Sequence, residues 1–195
     1  MSAWIRMIRD EQASADLLDA LGEARTPAGT VDNVMRVHSL RPNTMRGHLR
    51  LYRSVLHDDG NTVPMWVQEI VGSYVSFLND CPYSFANHFA NATHLIGDED
   101  KAQRIHQAMK DNTLEQVFTG AELAMLQYAR KLTLTPGEMS EDDILPMRRH
   151  GVDDGQILEI NQVCAYFAYA NRLLNGLGVS LAGDVVGYYS NADKQ

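Results

Sequence analysis

The sequence predicts an all-α fold, and three observations carry that reading. Apolar residues recur at helical spacing in segment after segment, with hardly a stretch that alternates in the two-residue rhythm of a strand. Ser, Thr, Asp and Pro stand where helices would begin, and Gly or Pro-Gly where they would end. With 195 residues and 45% hydrophobic content the chain can bury a substantial core. The expected organisation is one all-helical domain over 1–195, with a core at about 42–97 and a second helical half at about 119–179.

Taken in order, residues 12–24 hold apolar positions at helical period, and Thr26-Pro27-Ala28-Gly29 breaks the run. A second helix is expected from Pro42 to Leu56, followed by a turn at His57-Asp58-Asp59-Gly60-Asn61. Pro64 opens the helix that carries Glu69 and ends near Asn79. The next runs from Pro82 to about Leu95 and stops at Gly97, after which Asp98 can cap a segment through Ile105 and Met109. Thr119 with Glu122 reads as a capping box ahead of Leu123, Leu126, Ala129, Arg130 and Leu132, and Pro136-Gly137 closes that helix. Ser140 caps a short helix holding Ile144, Leu145 and Met147, with Gly151 as its stop. Asp153 caps the longest segment, where Ile157, Ile160, Val163, Cys164, Phe167, Asn171 and Leu174 recur near period 3.5. That stripe reads as core or subunit contact, with a substrate-pocket wall as the functional alternative.

A formal net charge of −8 argues against a nucleic-acid surface, which needs a concentrated basic face. Arg41, Arg46, Arg50 and Arg53 come nearest to one, and read as a solvated or subunit-contact stripe. The first residues lack the apolar core and cleavage site of a signal peptide, no run reaches membrane-spanning length, and Cys81 and Cys164 make no disulfide framework. A cytoplasmic protein with no membrane and no nucleic-acid partner is the expectation. No cofactor is expected either: no His-Glu-x-x-His, Gly-x-Gly-x-x-Gly or phosphate-loop pattern occurs, so metal, haem, flavin and nicotinamide find no motif. His38 and His48 flank Pro42 on different segments, His57 sits in a turn, His94 lies on a different face from His88, and His106 and His150 read as exposed.

The chemistry-bearing stretch is Glu69, eleven residues, then Cys81-Pro82-Tyr83-Ser84-Phe85-Ala86-Asn87-His88. With Pro82 opening a helix, Cys81, Ser84 and His88 share one face, and Cys81 stands at the amino end where unpaired N–H groups favour an anion. A thiol of pKa near 8.5 is about 3% thiolate at pH 7, and one brought to about 7 is half-ionised, so that placement predicts a reactive sulfur. His88 can act as base or ion partner, with Glu69 orienting it from the preceding helix if the two pack antiparallel. A buried packing cysteine is the competing reading.

Asn79-Asp80-Cys81-Pro82-Tyr83-Ser84-Phe85-Ala86-Asn87-His88, preceded by Glu69, resembles the signature of the alkylhydroperoxidase-D-like (AhpD-like), carboxymuconolactone-decarboxylase superfamily: Glu, eleven residues, Cys-x-x-Cys, three residues, His. Val34-Met35-Arg36-Val37-His38-Ser39-Leu40-Arg41-Pro42 and the segment ending Ala170-Asn171-Arg172-Leu173-Leu174-Asn175-Gly176-Leu177-Gly178-Val179 look like its peroxidase-related branch, so the similarity spans about residues 30–180. The resemblance implies an AhpD-like helical bundle with a helix-turn-helix active centre, a peroxidase-like antioxidant oxidoreductase served by an external thiol reductant, and a homo-oligomer, commonly a dimer, trimer or hexamer. It implies catalytic roles for Glu69, Cys81 and His88.

The departure is Ser84, which stands where the family has the cysteine that attacks the hydroperoxide. An alcohol cannot pass through a sulfenic acid. Three readings therefore stand: a one-cysteine thiol peroxidase or sensor at Cys81, with Ser84 donating a hydrogen bond to the thiol; a hydrolase or decarboxylase acting on a small carbonyl or lactone through Ser84, His88 and Glu69; or a non-catalytic oligomeric protein that retains the fold.

Overall fold

The computed structural model describes residues 2–26 and 28–187, and nine α-helices lie among them: α1 (Ala15–Glu23), α2 (Asn33–Arg36), α3 (Pro42–Leu56), α4 (Met65–Leu78), α5 (Pro82–Ile96), α6 (Glu99–Asp111), α7 (Gly120–Leu134), α8 (Leu145–Arg149) and α9 (Asp154–Leu177). No strand occurs among the described residues. Pro27, read as part of the break after the first helix, lies outside them, as do Met1 and residues 188–195 of the expected 1–195 span.

The helix ends follow local chemistry. Ser14, Asp98 and Asp153 accept hydrogen bonds from the N–H groups of Leu17, Lys101 and Gln156, and Gln156 completes a capping box at the start of α9. The first helix begins at Ala15, not residue 12, because Ser14 caps it; Asp10–Gln12 is a separate 3-10 turn. Thr119, expected to cap with its side chain, makes no such bond. Gly120 follows it with φ +57°, so the first residue of α7 is left-handed and the regular turn a capping box requires does not start there. Residues 33–40, which carried no helix expectation, form α2 and a 3-10 turn at Val37–Leu40.

α4 occupies the centre, packed against α5, α7 and α9, and every residue from Val67 to Ser76 is buried. A helix covered on all sides has no face to spare for water, so its polar groups must be satisfied internally. The Ser73 and Ser76 hydroxyls lie 2.7 and 2.8 Å from the carbonyls of Glu69 and Gly72, one turn back. Gln68 donates to Val63 O at 2.8 Å.

α4 and α5 form an antiparallel hairpin through Asn79, Asp80 and Cys81, with Asp80 at φ +52°. The cross-helix pairs Ser76–Ser84 and Glu69–Asn91 fall symmetrically about Asp80. α9 clamps the turn: the Asn175 amide donates to Asn79 O at 2.9 Å and Asp80 O at 3.3 Å, and Asn79 donates to Asn171 Oδ1 at 3.0 Å.

Gly72 lets α9 approach α4. A Cβ there would sit 2.2 Å from Cε2 of Phe167, whose ring is 0% exposed and stands edge-on to His88 with centroids 4.5 Å apart. On the outside, Arg46 binds Asp16, Asp19 and Glu23 at 2.8–2.9 Å and Arg53 donates to Glu23 O at 2.9 Å. These two members of the arginine stripe are thus engaged within the chain, tying α3 to α1.

Gly72→Ala is expected to destabilise the protein by about 1–3 kcal/mol through overpacking against Phe167. Gly47→Ala in α3, where an added Cβ meets nothing within 4 Å, is expected to stabilise it by about 0.5–1 kcal/mol. Urea denaturation of the two variants checks both signs.

Candidate active site

A cavity of about 390 Å³ opens between α3, α5 and α9. Its walls carry Leu49, Tyr52 and Arg53 from α3, Ser84 and His88 from α5, and Tyr166 from α9. The loop after α1 and residues 185 and 187 close over it. This roof is tied down by Asn33, whose N–H donates to the Asp184 carboxylate at 2.9 Å and whose amide donates to Ser180 O and Ala182 O at 2.9 and 3.1 Å. Tyr83 donates to Asp184 Oδ2 at 2.5 Å, and Gly187 N–H donates to Asn87 Oδ1 at 3.2 Å. Asp32 lines the cavity beneath, and burial, with the Asp184 charge second, pushes its carboxyl up to about 6.

Glu69 and His88 come together as the spacing predicts. Glu69 is 0% exposed; its Oε2 lies 2.7 Å from His88 Nδ1 and its Oε1 accepts from Asn91 Nδ2 at 3.2 Å. An ionised carboxylate only accepts, so Nδ1 carries the proton and Nε2 is the ring nitrogen left to serve a bound molecule. Phe167 packs edge-on against the ring and His88 lines the cavity. The sequence missed Asn91, one turn beyond His88, and spacing from Glu69 is the signal that could have found it.

Ser84 also lines the cavity, but its hydroxyl partner is Ser76 Oγ at 2.9 Å, itself an acceptor for the Asn171 amide at 3.2 Å. The Cys81 side chain accepts no capping hydrogen bond, so the donation expected from the Ser84 hydroxyl is not made, and the Ser84 backbone N–H acts on the thiol only as a nearby dipole. The Ser84 hydroxyl is engaged by Ser76 instead, across the α4–α5 hairpin.

Cys81 corrects the expectation of an ionised sulfur. It is 2% exposed, is absent from the cavity lining among the described residues, and packs with Val37, Tyr83, Leu174 and Val179. Burial pushes the thiol above its ordinary value, outweighing the Ser84 N–H and the Asn171 amide that pull it down. Cys164 is a packing residue as read, pushed by burial up to about 12, and both cysteines are free.

Several residues of the site carried no functional reading. His57 leaves its turn to line the cavity against the Tyr52 ring at 4.8 Å, and burial lowers its pKa. Tyr166 and Ala170, outside the predicted stripe, line the cavity with Leu174, so the long helix is a cavity wall, the functional alternative read for that stripe, as well as core. His38 and His48, placed on different segments, are hydrogen bonded to each other. His150 is exposed as expected and His94 is exposed too, whereas His106, also read as exposed, is half-buried against the Phe85 and Phe89 rings at 5.1 and 5.2 Å. Among the described residues no group of three or more His, Cys, Asp or Glu could hold a metal ion, and no helix is long and apolar enough to cross a membrane.

The chain matches no protein-family model and no curated protein. Solved structures are similar to it over nearly their whole length. The AhpD core of an uncharacterised peroxidase-related protein from Ralstonia eutropha JMP134 has a TM-score of 0.79 at 23% identity, covering 92% of both chains. An uncharacterised peroxidase-related protein from Silicibacter sp. TM1040 has a TM-score of 0.79 at 20% identity, covering 92% of this chain and 91% of its own. The debrominase Bmp8, solved also with 2,3,4-tribromopyrrole, has a TM-score of 0.73 in that complex at 15% identity, covering 92% of both. The fold is AhpD-like, as the motif resemblance implied.

Two outcomes follow from this geometry. Cys81 in the native protein is expected to react with Ellman's reagent at pH 7 at least about tenfold more slowly than in urea, because the thiolate is both scarce and covered; equal rates would contradict its placement. Asp32, with its folded value raised to about 6, contributes stability that is full below its unfolded value and is lost as pH rises through about 6. Asp32→Asn should therefore raise the melting temperature at pH 7.5 and change it little at pH 4, as read by circular dichroism.

Proposed function

We propose that this chain is an enzyme that takes a small carbonyl or lactone compound into the cavity and performs acid–base chemistry on it at His88. One observation carries the reading: an imidazole on the cavity wall has its inner nitrogen fixed 2.7 Å from a carboxylate that has no contact with water. Glu69 is a positioning residue. It holds the tautomer in which Nε2 is basic and stabilises the imidazolium once a proton is taken.

Two reactions suit this arrangement. His88 Nε2 can accept a proton from carbon beside a carbonyl, the C–H pair moving toward the carbonyl oxygen, and return the proton at the end. It can also accept a proton from water or from Ser84 as that oxygen bonds to a lactone carbonyl, the ring C–O bond then breaking with the proton returned to the leaving oxygen. Ser84 and His88 lie one helical turn apart on the cavity wall, which favours either.

A second reading keeps Cys81 as the reacting group. The Ser84 N–H and the Asn171 amide both pull its thiol toward the anion, against burial, and the similar structures include peroxidase-related proteins. In that reading a hydroperoxide oxidises the thiol to a sulfenic acid with release of an alcohol, and two equivalents of an external thiol reduce it with release of water and a disulfide.

The test compares phenyl acetate and δ-valerolactone with cumene hydroperoxide plus dithiothreitol. The first reading expects ester or lactone turnover that falls by roughly 10²–10⁴ in His88→Gln and is unchanged in Cys81→Ala. Peroxide turnover abolished by Cys81→Ala, trapped by a sulfenic-acid reagent and raised by Ser84→Cys, supports the second reading instead. Turnover of none of these compounds overturns both.

A further inference from the structure

A file of hydrogen-bonded side chains, unused by the Glu69–His88 pair, runs from solvent to the cavity. Thr44 on α3 is exposed, and its hydroxyl donates to Arg41 O at 2.8 Å. His38 Nδ1 lies 3.0 Å from the Thr44 oxygen, His38 Nε2 lies 3.0 Å from His48 Nδ1, and His48 Nε2 lies 3.1 Å from the Tyr166 hydroxyl. The two imidazoles are 7% and 2% exposed, and Tyr166 at the inner end lines the cavity. Aromatic rings insulate the file: Tyr169 stands edge-on to His48 at 5.1 Å and Tyr52 lies 5.8 Å from Tyr166.

The number of protons fixes its direction. Burial lowers both imidazoles, His48 to about 3 with the charge of His38 as the second cause, so each ring carries one N–H near neutral pH. Thr44 has one proton and gives it to Arg41 O, so its oxygen accepts from His38 Nδ1–H. His38 Nε2 then accepts from His48 Nδ1–H, and His48 Nε2 accepts from Tyr166 O–H. Every donor points outward, and the Tyr166 oxygen has its lone pairs to offer to the cavity.

We propose that Thr44, His38, His48 and Tyr166 form a solvent-connected proton relay, with Tyr166 as a second proton-transfer group of the cavity beside His88. This rests on reading the cavity as an acid–base site. In the outward state, a proton leaving a bound molecule joins the Tyr166 oxygen while the Tyr166 proton passes to His48 Nε2. The proton on His48 Nδ1 passes to His38 Nε2 and that on His38 Nδ1 to the Thr44 oxygen, while the exposed Thr44 hydroxyl turns its own proton from Arg41 O to water and releases it there. One proton leaves the cavity, one enters solvent, and neither ring keeps a charge. The file is then inverted, and Tyr166 can return a proton by the reverse shifts. With His88, the cavity can take a proton from one atom of a substrate and give one to another, the requirement of an isomerisation or decarboxylation through an enolate. The substrate class this selects is a small carbonyl compound with an acidic C–H.

The test needs no substrate at its first stage. In protein labelled with ¹⁵N at histidine, long-range ¹H–¹⁵N spectra at pH 7 should show His38 and His48 both as the Nδ1–H tautomer, with their N–H protons exchanging rapidly with water. Thr44→Val should slow that exchange at least tenfold and Thr44→Ser should restore it, which a merely structural hydroxyl would not do. An Nε2–H tautomer at His48, or exchange unaffected by Thr44→Val, overturns the relay whether or not any substrate is found. For a compound that the wild type turns over through His88, Tyr166→Phe should lower kcat at least tenfold with KM changed less than threefold, and an unchanged kcat overturns the catalytic role of Tyr166. Turnover of none of the ester, lactone and peroxide probes would instead count against the acid–base reading and leave the exchange result to decide the relay.

Discussion

A carboxylate sealed from water is the constraint on which the centre of this molecule depends. Glu69 sits on α4, a helix buried through its middle, so its charge cannot be left to solvent. Removing one partner of such a buried pair typically costs about 3–5 kcal/mol, far more than an exposed ion pair contributes. α5 supplies both partners, His88 to one oxygen and Asn91 to the other, and these contacts set the hairpin in one register about Asp80. The same pair that satisfies the interior presents an oriented imidazole to the cavity. Stability and chemistry thus draw on a single contact.

Around that contact the motif residues separate onto two sides of α5. Ser84 and His88 face the cavity, while Cys81 is folded beneath the helix start among apolar side chains. A helix N-terminus favours an anion by about 0.3–1 kcal/mol, and up to about 2 in a favourable buried setting. Removing a thiolate from water costs more than that unless it gains strong partners, which is why the direction at Cys81 is set by burial and not by the helix end.

The walls come from parts of the chain far apart in sequence, and α9 joins them. Its Phe167 enters the space left by Gly72 and braces His88, its Asn171 and Asn175 hold the α4–α5 turn, and its Tyr166 reaches the cavity from the opposite helix. The roof depends on one acidic side chain, Asp184, which receives Asn33 N–H and Tyr83 O–H together. The half-buried Asp32 nearby, pushed up to about 6, leaves that closure sensitive to protonation.

The sequence by itself determined the longer helices and the Glu69–His88 pairing, but not the short α2. Period, caps and stops are local, so Pro42–Leu56 and the Gly97 stop could be read directly, and a short turn between two helices leaves few ways to bring residue 69 anywhere but beside residue 88. Only the tertiary structure decided which side of α5 each motif residue faces, what state burial imposes on Cys81, and that His38, His48 and Tyr166 lie in one file. Those outcomes depend on the side chains that α3 and α9 bring from more than a hundred residues apart, and water exclusion is a property of the packed whole that no local spacing encodes.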